Sequence, residues 1–436
     1  VEISLAANIL GAKMKFNLDP HQMTTVDYCL KNKYSIMALS MGLGKTMTAL
    51  AIWQRTGGNC LVVCPSYLVS NWISEIRKFL GEKPIITAIR KGKDFYHIFD
   101  SDFVIVSYDL AQKSEQIFEW ADMVVLDEAN YIMSMKAKRT EYLHRAIYEN
   151  SIKRCYLLTG TPIKNRIEEY YSLLALCNYN PEIKHSEFLE KYPDSIAFAD
   201  HFSFRKEYTM EISGRWVTIV KWDGVKNVPE LKSLLQNKYI RFSSKDVLKL
   251  ETPRMKDILI SEAEDKNLLA EFEAHYADED NHSVKSNYKA EAALKKVPFT
   301  VKYVKDLLEQ IECVPIYTDH VESAKALAAA FETEAITGEM PAAKRAAIGI
   351  EFQDGKRRVL VATIKSFSTG ISLTRANNLV LSDYSWVPGD IEQTIYRIHR
   401  RDQTKTCLIH RILGSPQDQK ILEAVESKMR TIEKVV

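Results

Sequence analysis

The sequence predicts an α/β protein with two parallel-sheet domains. Three observations carry the prediction: apolar strand-like runs alternate with helical patterns from about residue 18 to 180, a second alternating series begins near residue 314, and a glycine-rich loop sits between the first strand and the first helix. A length of 436 residues exceeds what one ordinary core supports, so two domains are expected on size as well.

The elements follow in chain order. Ser35-Ile36-Met37-Ala38-Leu39 reads as a buried strand, and Thr46 to Trp53 as a helix stopped by Gly57-Gly58. Between them, Met41-Gly42-Leu43-Gly44-Lys45-Thr46 reads as a phosphate cradle. Glycine lets the backbone approach a ligand, and the unpaired N–H groups and dipole of a helix start favour phosphate oxygens. Lys45 suits the β- and γ-phosphates and the Thr46 hydroxyl suits Mg²⁺, although Leu39 stands where the full pattern has its first glycine. Leu61-Val62-Val63 precedes a helix carrying Leu68, Trp72, Ile76 and Phe79, and strand-like runs recur at Phe103 to Val106, Met123 to Leu126 and Cys155 to Leu158. The run at Met123 ends in Asp127-Glu128-Ala129-Asn130, which puts two carboxylates at the end of a strand where ligands of open α/β sheets bind. Asp127 is the expected metal residue and Glu128 the residue that positions the attacking water.

Residues 181–250 break this rhythm. Within them, 202–222 reads as a β-hairpin, with Phe202, Phe204, Tyr208, Met210 and Ile212 alternating with polar residues before Ser213-Gly214, and Arg215 and Trp216 at the tip. Residues 251–295 read as a helical interdomain connection with a mobile loop at 277–283. The second domain, 296–414, contains Val314 to Tyr317, Val359 to Val361, Leu379 to Leu381 and Leu408-Ile409, without a phosphate loop. A final helix, 415–436, is signalled by Ser415 as cap, Pro416 at its first position and Ile421, Leu422, Val425, Met429 and Ile432 on one face.

Composition bounds the class. With 46% apolar and 27% charged residues, and no uninterrupted apolar run near the ~18 residues of a membrane span, an intracellular protein with no membrane partner is expected, the cytoplasm of a bacterial or virus-infected cell being favoured over a nucleus. Seven cysteines, at 29, 60, 64, 155, 177, 313 and 407, are an odd number without metal-site spacing and suit buried thiols. A net charge of only +2 means that any nucleic-acid surface must be local, such as Arg397, His399, Arg400, Arg401 and Lys405, which lie within nine residues.

The order of motifs resembles superfamily 2 helicases. Gly42 to Thr46, Asp127 to Asn130, Leu158-Thr159-Gly160-Thr161-Pro162 and Gln393 to Arg400 are similar to motifs I, II, III and VI of that superfamily. Leu18-Asp19-Pro20-His21-Gln22 resembles the segment whose glutamine reads adenine, and Val63-Cys64-Pro65 through Asn71-Trp72-Ile73-Ser74-Glu75 resembles motif Ia of the Swi/Snf-type translocases. Trp386-Val387-Pro388-Gly389, Thr363-Ile364, Lys296-Val297-Pro298 and Trp222-Asp223-Gly224 lean toward the annealing-helicase and fork-remodelling branch, including the branch-migration helicases that phages encode. The chain departs from the family at Leu39-Ser40, where an acidic pair is usual, and at Asn130, where a histidine is usual.

The resemblance implies two RecA-like lobes, with residues 1–180 as the first, and ATP with Mg²⁺ as cofactors. It implies nucleotide binding by Gln22, Met41, Gly42, Leu43, Gly44, Lys45, Thr46 and Gln393, metal binding by Thr46 and Asp127, and catalysis by Lys45, Thr46, Asp127 and Glu128 with Arg397 and Arg400 reaching across from the second lobe. Asn130, Thr159, Gly160 and Thr161 would couple nucleotide to DNA, and Ser66, Trp72, Ser107, Tyr108, Thr363, Thr369, Gly370 and Trp386 would lie along the DNA track. Trp72 on its own residue pattern is core, since Leu68 and Ile76 share its helical face. The implied function is a monomeric double-stranded DNA translocase acting on branched DNA by fork reversal, branch migration or strand reannealing, with the hairpin tip, Arg215 and Trp216, either a wedge at the branch or packing for the insertion. The alternatives are a translocase that strips DNA-bound protein and a DNA-binding scaffold without ATPase activity.

Overall fold

The computed structural model describes residues 17–134, 137–165, 169–178, 210–212, 221–223, 225, 227–248, 250–260, 282–366, 372–414 and 416–435. The chain divides into two compact units, Val1–Val247 with Thr431–Val436, and Leu248–Arg430.

In the first unit, β1 (Tyr34–Leu39), β2 (Cys60–Cys64), β3 (Ile86–Ile89), β4 (Phe103–Ser107), β5 (Met123–Asp127), β6 (Arg154–Thr159) and β9 (Tyr239–Phe242) form one sheet in the order β3-β4-β2-β5-β6-β1-β9. All neighbouring pairs are parallel. Strands β1, β2, β4 and β5 are buried from end to end, which is why they read as unbroken apolar runs rather than alternating ones. Helix α1 (Pro20–Lys31) leads into β1, α2 (Lys45–Thr56) connects β1 to β2, and α3 (Val69–Leu80) lies between β2 and β3. Parallel pairing puts the C-terminal ends of β1, β2, β4, β5 and β6 along one edge, and with them the phosphate loop, Ser66, Ser107, Asp127 and Thr159.

The reading of residues 181–250 as an insertion that breaks the first domain's rhythm needs correction. Part of residues 181–250 belongs to the first sheet: β9 pairs with β1, with the Ile36 amide donating to Lys238 O at 2.7 Å and the Ser40 amide to Phe242 O at 3.0 Å. Its half-exposed side chains gave no apolar run to read. Upstream of it, β7 (Met210–Ile212) pairs antiparallel with β8 (Lys221–Asp223), Glu211 opposite Trp222, within the stretch expected to be a hairpin. The tip residues Arg215 and Trp216 lie outside the described residues.

In the second unit, β10 (Arg254–Leu259), β11 (Val314–Thr318), β12 (Ala335–Ile336), β13 (Val359–Thr363), β14 (Asn378–Leu381) and β15 (Leu408–Leu413) form a parallel sheet in the order β10-β15-β14-β11-β13-β12. Adjacent residues face opposite cores: Tyr317, Leu360 and Leu379 pack on one side, Ile316, Val361 and Val380 on the other. The expected helical connection over 251–295 thus contains an edge strand. Its side chains are almost all exposed and include Arg254, Lys256 and Asp257, charges of the kind that blunt a sheet edge and erase the apolar alternation. A helix begins at His282, inside the loop expected at 277–283, and the remainder of that loop lies outside the described residues.

The C-terminal helix, Pro416–Val435, buries Ile421 and Val425, but Met429 is exposed rather than on the packed face. The expected cap, Ser415, lies outside the described residues. Near its start, Asp418 accepts from Lys296 Nζ at 2.9 Å and from the Gly414 amide at 2.8 Å, in a buried ion pair. All seven cysteines are free and buried, and among the described residues no helix is long and apolar enough to cross a membrane.

Candidate nucleotide site

The loop after β1 is shaped by its glycines. Gly42 and Gly44 have φ of 82° and 79°, the left-handed region that a side chain rarely adopts, and Gly44 caps α2. The α1 side chains hold the loop from behind: Gln22 Nε2 donates to Leu43 O at 3.2 Å, His21 Nε2 lies 3.0 Å from the same carbonyl, and Gln22 Oε1 accepts from the Asp19 amide at 2.9 Å. The residue expected to read adenine is therefore buried and braces the phosphate loop. Lys45 Nζ donates to Leu39 O at 3.1 Å, so the position that departs from the glycine pattern contributes through its backbone, which any residue supplies. Met41 is buried beside Gly160, where a β-carbon would lie 3.4 Å from both Lys45 Nζ and Met41 Cγ.

The acid pair sits at the end of β5, two strands from β1. Asp127 Oδ1 accepts from the Glu128 amide at 3.0 Å, Oδ2 accepts from Trp72 Nε1 at 2.8 Å, and the Asp127 carbonyl accepts from the Tyr108 hydroxyl at 2.9 Å. Burial, and then the adjacent Glu128 carboxylate, push the Asp127 carboxyl up to about 6 against the pull of the Lys45 ammonium. Glu128 has φ 53°, a left-handed conformation that costs about 1–2 kcal/mol for a non-glycine residue and turns the chain sharply out of the strand. Its Oε2 and the Asn130 Oδ1 are buried with no hydrogen-bond partner among the described residues. A divalent cation fits this chemistry: hard carboxylate oxygens, one orphaned and one destabilised in its charged form by a like charge. At the end of β6, Thr159 Oγ1 accepts from the Thr161 amide at 3.1 Å, folding that loop back beside Lys45.

In the second unit, the helix Pro388–Ile395 carries half-buried Gln393 and leads into Arg397 and Arg400. Arg397 is 2% exposed, and its carbonyl accepts from the Leu373 amide at 2.8 Å. Arg400 donates through Nε to Tyr396 O at 2.7 Å and through Nη1 to Ser372 Oγ at 3.0 Å.

The residues expected along a DNA track do not share one environment. Ser66 is exposed at a helix start and Trp386 is 40% exposed. Ser107 instead caps the short helix that follows it, accepting from the Leu110 amide at 3.3 Å, and Tyr108 is 1% exposed, which removes its ring from any surface. Thr363 is buried and donates to Ser366 Oγ at 2.7 Å. Thr369 and Gly370 lie outside the described residues. Sequence reasoning placed Trp72 in the core but missed its hydrogen bond to Asp127, because the two are 55 positions apart.

A glycine loop at a helix start beside a buried acid pair at the strand ends is the layout of a P-loop ATPase. Known proteins narrow that class: the SNF2-related domain matches residues 21–299 and the helicase conserved C-terminal domain matches residues 299–402. The chain belongs to the SNF2-related family of ATP-dependent helicases. It is 26% identical over 440 residues to the mouse DNA annealing helicase and endonuclease ZRANB3, an alignment that takes in 94% of this chain and 40% of the mouse protein. It is 27% identical to an uncharacterized ATP-dependent helicase, YqhH, of Bacillus subtilis (96% of this chain, 79% of the relative), and 25% identical to the DNA repair and recombination protein RAD54 of Saccharomyces cerevisiae (90% and 52%). The chain thus spans about two fifths of the mouse protein's length.

Proposed function

We propose that this ATPase is a motor that tracks along double-stranded DNA and remodels branched DNA, by fork reversal, branch migration or strand reannealing. The observation that carries the reading is the alignment of 94% of the chain with a protein named as an annealing helicase. The antiparallel β7–β8 pair supports it, since paired strands in this part of the chain suit a wedge at a junction. In this reading Lys45 and the loop N–H groups hold the ATP phosphates, Thr46 and Asp127 hold Mg²⁺, and Glu128, with its orphaned carboxylate oxygen, orients the attacking water. Arg397 and Arg400 stabilise the charge that develops on the γ-phosphoryl group. Asn130 and the Thr159 to Thr161 loop relay the state of the nucleotide. Exposed Ser66 and Trp386 meet the DNA backbone, a contact that positions a motor without reading sequence.

Steady-state ATP hydrolysis with no DNA, single strand, linear duplex, fork and four-way junction tests the reading, with Lys45→Ala as the blank. Strongest stimulation by fork or junction supports it. Equal stimulation by linear duplex replaces it with a translocase that displaces bound protein, and no stimulation by any DNA replaces it with a DNA-independent ATPase or a scaffold.

A further inference from the structure

We propose that Trp72 is a positioning residue that sets the orientation of the metal-binding carboxylate of Asp127. This rests on the assignment of Asp127 to Mg²⁺ made above. Trp72 lies on the buried face of α3 with Val69, Ile76 and Leu80, and is 1% exposed. A buried indole N–H needs an acceptor, and a backbone carbonyl suffices: in the same unit, Trp53 Nε1 donates to Gly58 O at 2.8 Å. Trp72 is aimed instead at a carboxylate, 2.8 Å from Asp127 Oδ2.

The consequence follows from the other contacts of that side chain. With the Glu128 amide 3.0 Å from Oδ1, each carboxylate oxygen accepts one N–H, so the plane of the group is fixed at two points. The Tyr108 hydroxyl, 2.9 Å from the Asp127 carbonyl, holds the backbone beneath it. All three donors are neutral. They orient the carboxylate while leaving its negative charge for a cation, which a lysine or arginine in the place of Trp72 would not do. Each carboxylate oxygen also keeps acceptor capacity, since it has two lone pairs. Losing a hydrogen bond that orients a metal ligand lowers metal affinity by about 10- to 100-fold. That is the effect expected here.

The test uses the full chain with saturating ADP and Mn²⁺ as the paramagnetic probe, its affinity read by electron paramagnetic resonance. Trp72 is replaced by benzothienylalanine, which keeps the indole shape and lacks the N–H, and separately by phenylalanine; Asp127→Asn is the control. The expected result is Mn²⁺ binding weaker by about 10- to 100-fold in the benzothienylalanine protein, with its metal-free ADP affinity unchanged. ATP hydrolysis by that protein then recovers as Mg²⁺ is raised. Parental Mn²⁺ affinity in the benzothienylalanine protein, with binding lost in Asp127→Asn, overturns the role of Trp72 and leaves the metal assignment standing. Parental affinity in Asp127→Asn overturns the metal assignment and the inference with it. If Trp72→Phe fails to fold, the benzothienylalanine protein decides.

Discussion

Gly44 and Gln22 approach so closely that a β-carbon on Gly44 would lie 2.1 Å from Gln22 Nε2. Gln22 cannot easily retreat, because its amide is held at both ends, by the Asp19 amide and by Leu43 O. Glycine is therefore required at 44 twice over, by its φ of 79° and by this contact.

The two causes separate in a double-mutant cycle. Gly44→Ala is expected to destabilise the first lobe by more in the parent than in a Gln22→Ala background, with a coupling of about 1 kcal/mol, because the clash disappears while the backbone penalty stays. Urea unfolding of the four proteins measures it. Strict additivity would show that the loop moves away from Gln22 at no cost.

The second lobe depends on a buried ion pair. Lys296 and Asp418 are 3% and 9% exposed and 2.9 Å apart, and they tie the C-terminal helix to the helix Val297–Leu308 at its first turn. Asp418→Ala is expected to cost about 3–5 kcal/mol, because it strands a buried ammonium. Replacing both residues, as Lys296→Met with Asp418→Leu, should cost much less. Denaturant midpoints of the single and double variants decide; equal losses would mean that the pair acts through packing rather than charge.

Stability in acid should fall partly through His410. Its Nδ1 lies 2.7 Å from the Tyr303 hydroxyl and its Nε2 2.8 Å from Asn378 Oδ1, and burial pulls its pKa down from 6.5 to about 4. Between those values the unfolded chain binds a proton that the folded chain does not, so stability rises with pH across this window and is lost as pH falls through it. At 1.36 kcal/mol per pKa unit, the loss from His410 between pH 7 and pH 5 is about 2 kcal/mol. His410→Gln should remove that slope from urea titrations across the same range. An unchanged slope would assign the acid sensitivity elsewhere, with the buried His144, pulled down to about 3, as the next group to replace.

Legibility in the sequence followed burial. The strands covered on both faces were readable as apolar runs, and so were the loops at their C-terminal ends, because phosphate binding and acid-pair chemistry demand particular residues in local order. Strands β9 and β10 were not readable, since Tyr239–Phe242 is half-exposed and Arg254–Leu259 mixes charged with apolar side chains, almost all exposed, on a sheet edge. Contacts between distant positions were equally hidden. Tyr108 looked like a surface residue by motif, yet its hydroxyl is spent on the Asp127 carbonyl, and nothing local to either residue reports that contact. The grip of Gln22 on Leu43 was likewise not legible, since the two are 21 positions apart.

Arg397 provides the sharpest test of the catalytic assignment. Its near-complete burial, at 2% exposed, and the anchoring of its carbonyl by the Leu373 amide fix the backbone from which the guanidinium projects. An arginine that stabilises a transferring γ-phosphoryl group is worth about 10³- to 10⁵-fold in rate. Arg397→Ala should therefore nearly abolish ATP turnover while changing ATP affinity far less, and Arg397→Lys should restore little, because an ammonium lacks the planar fork of a guanidinium. Single-turnover hydrolysis measured beside equilibrium binding of a fluorescent ATP analogue separates the two effects. A variant that loses binding and turnover in parallel would show that Arg397 serves the ground state, and would move the transition-state role to Arg400, whose own Nε and Nη1 are held by Tyr396 O and Ser372 Oγ.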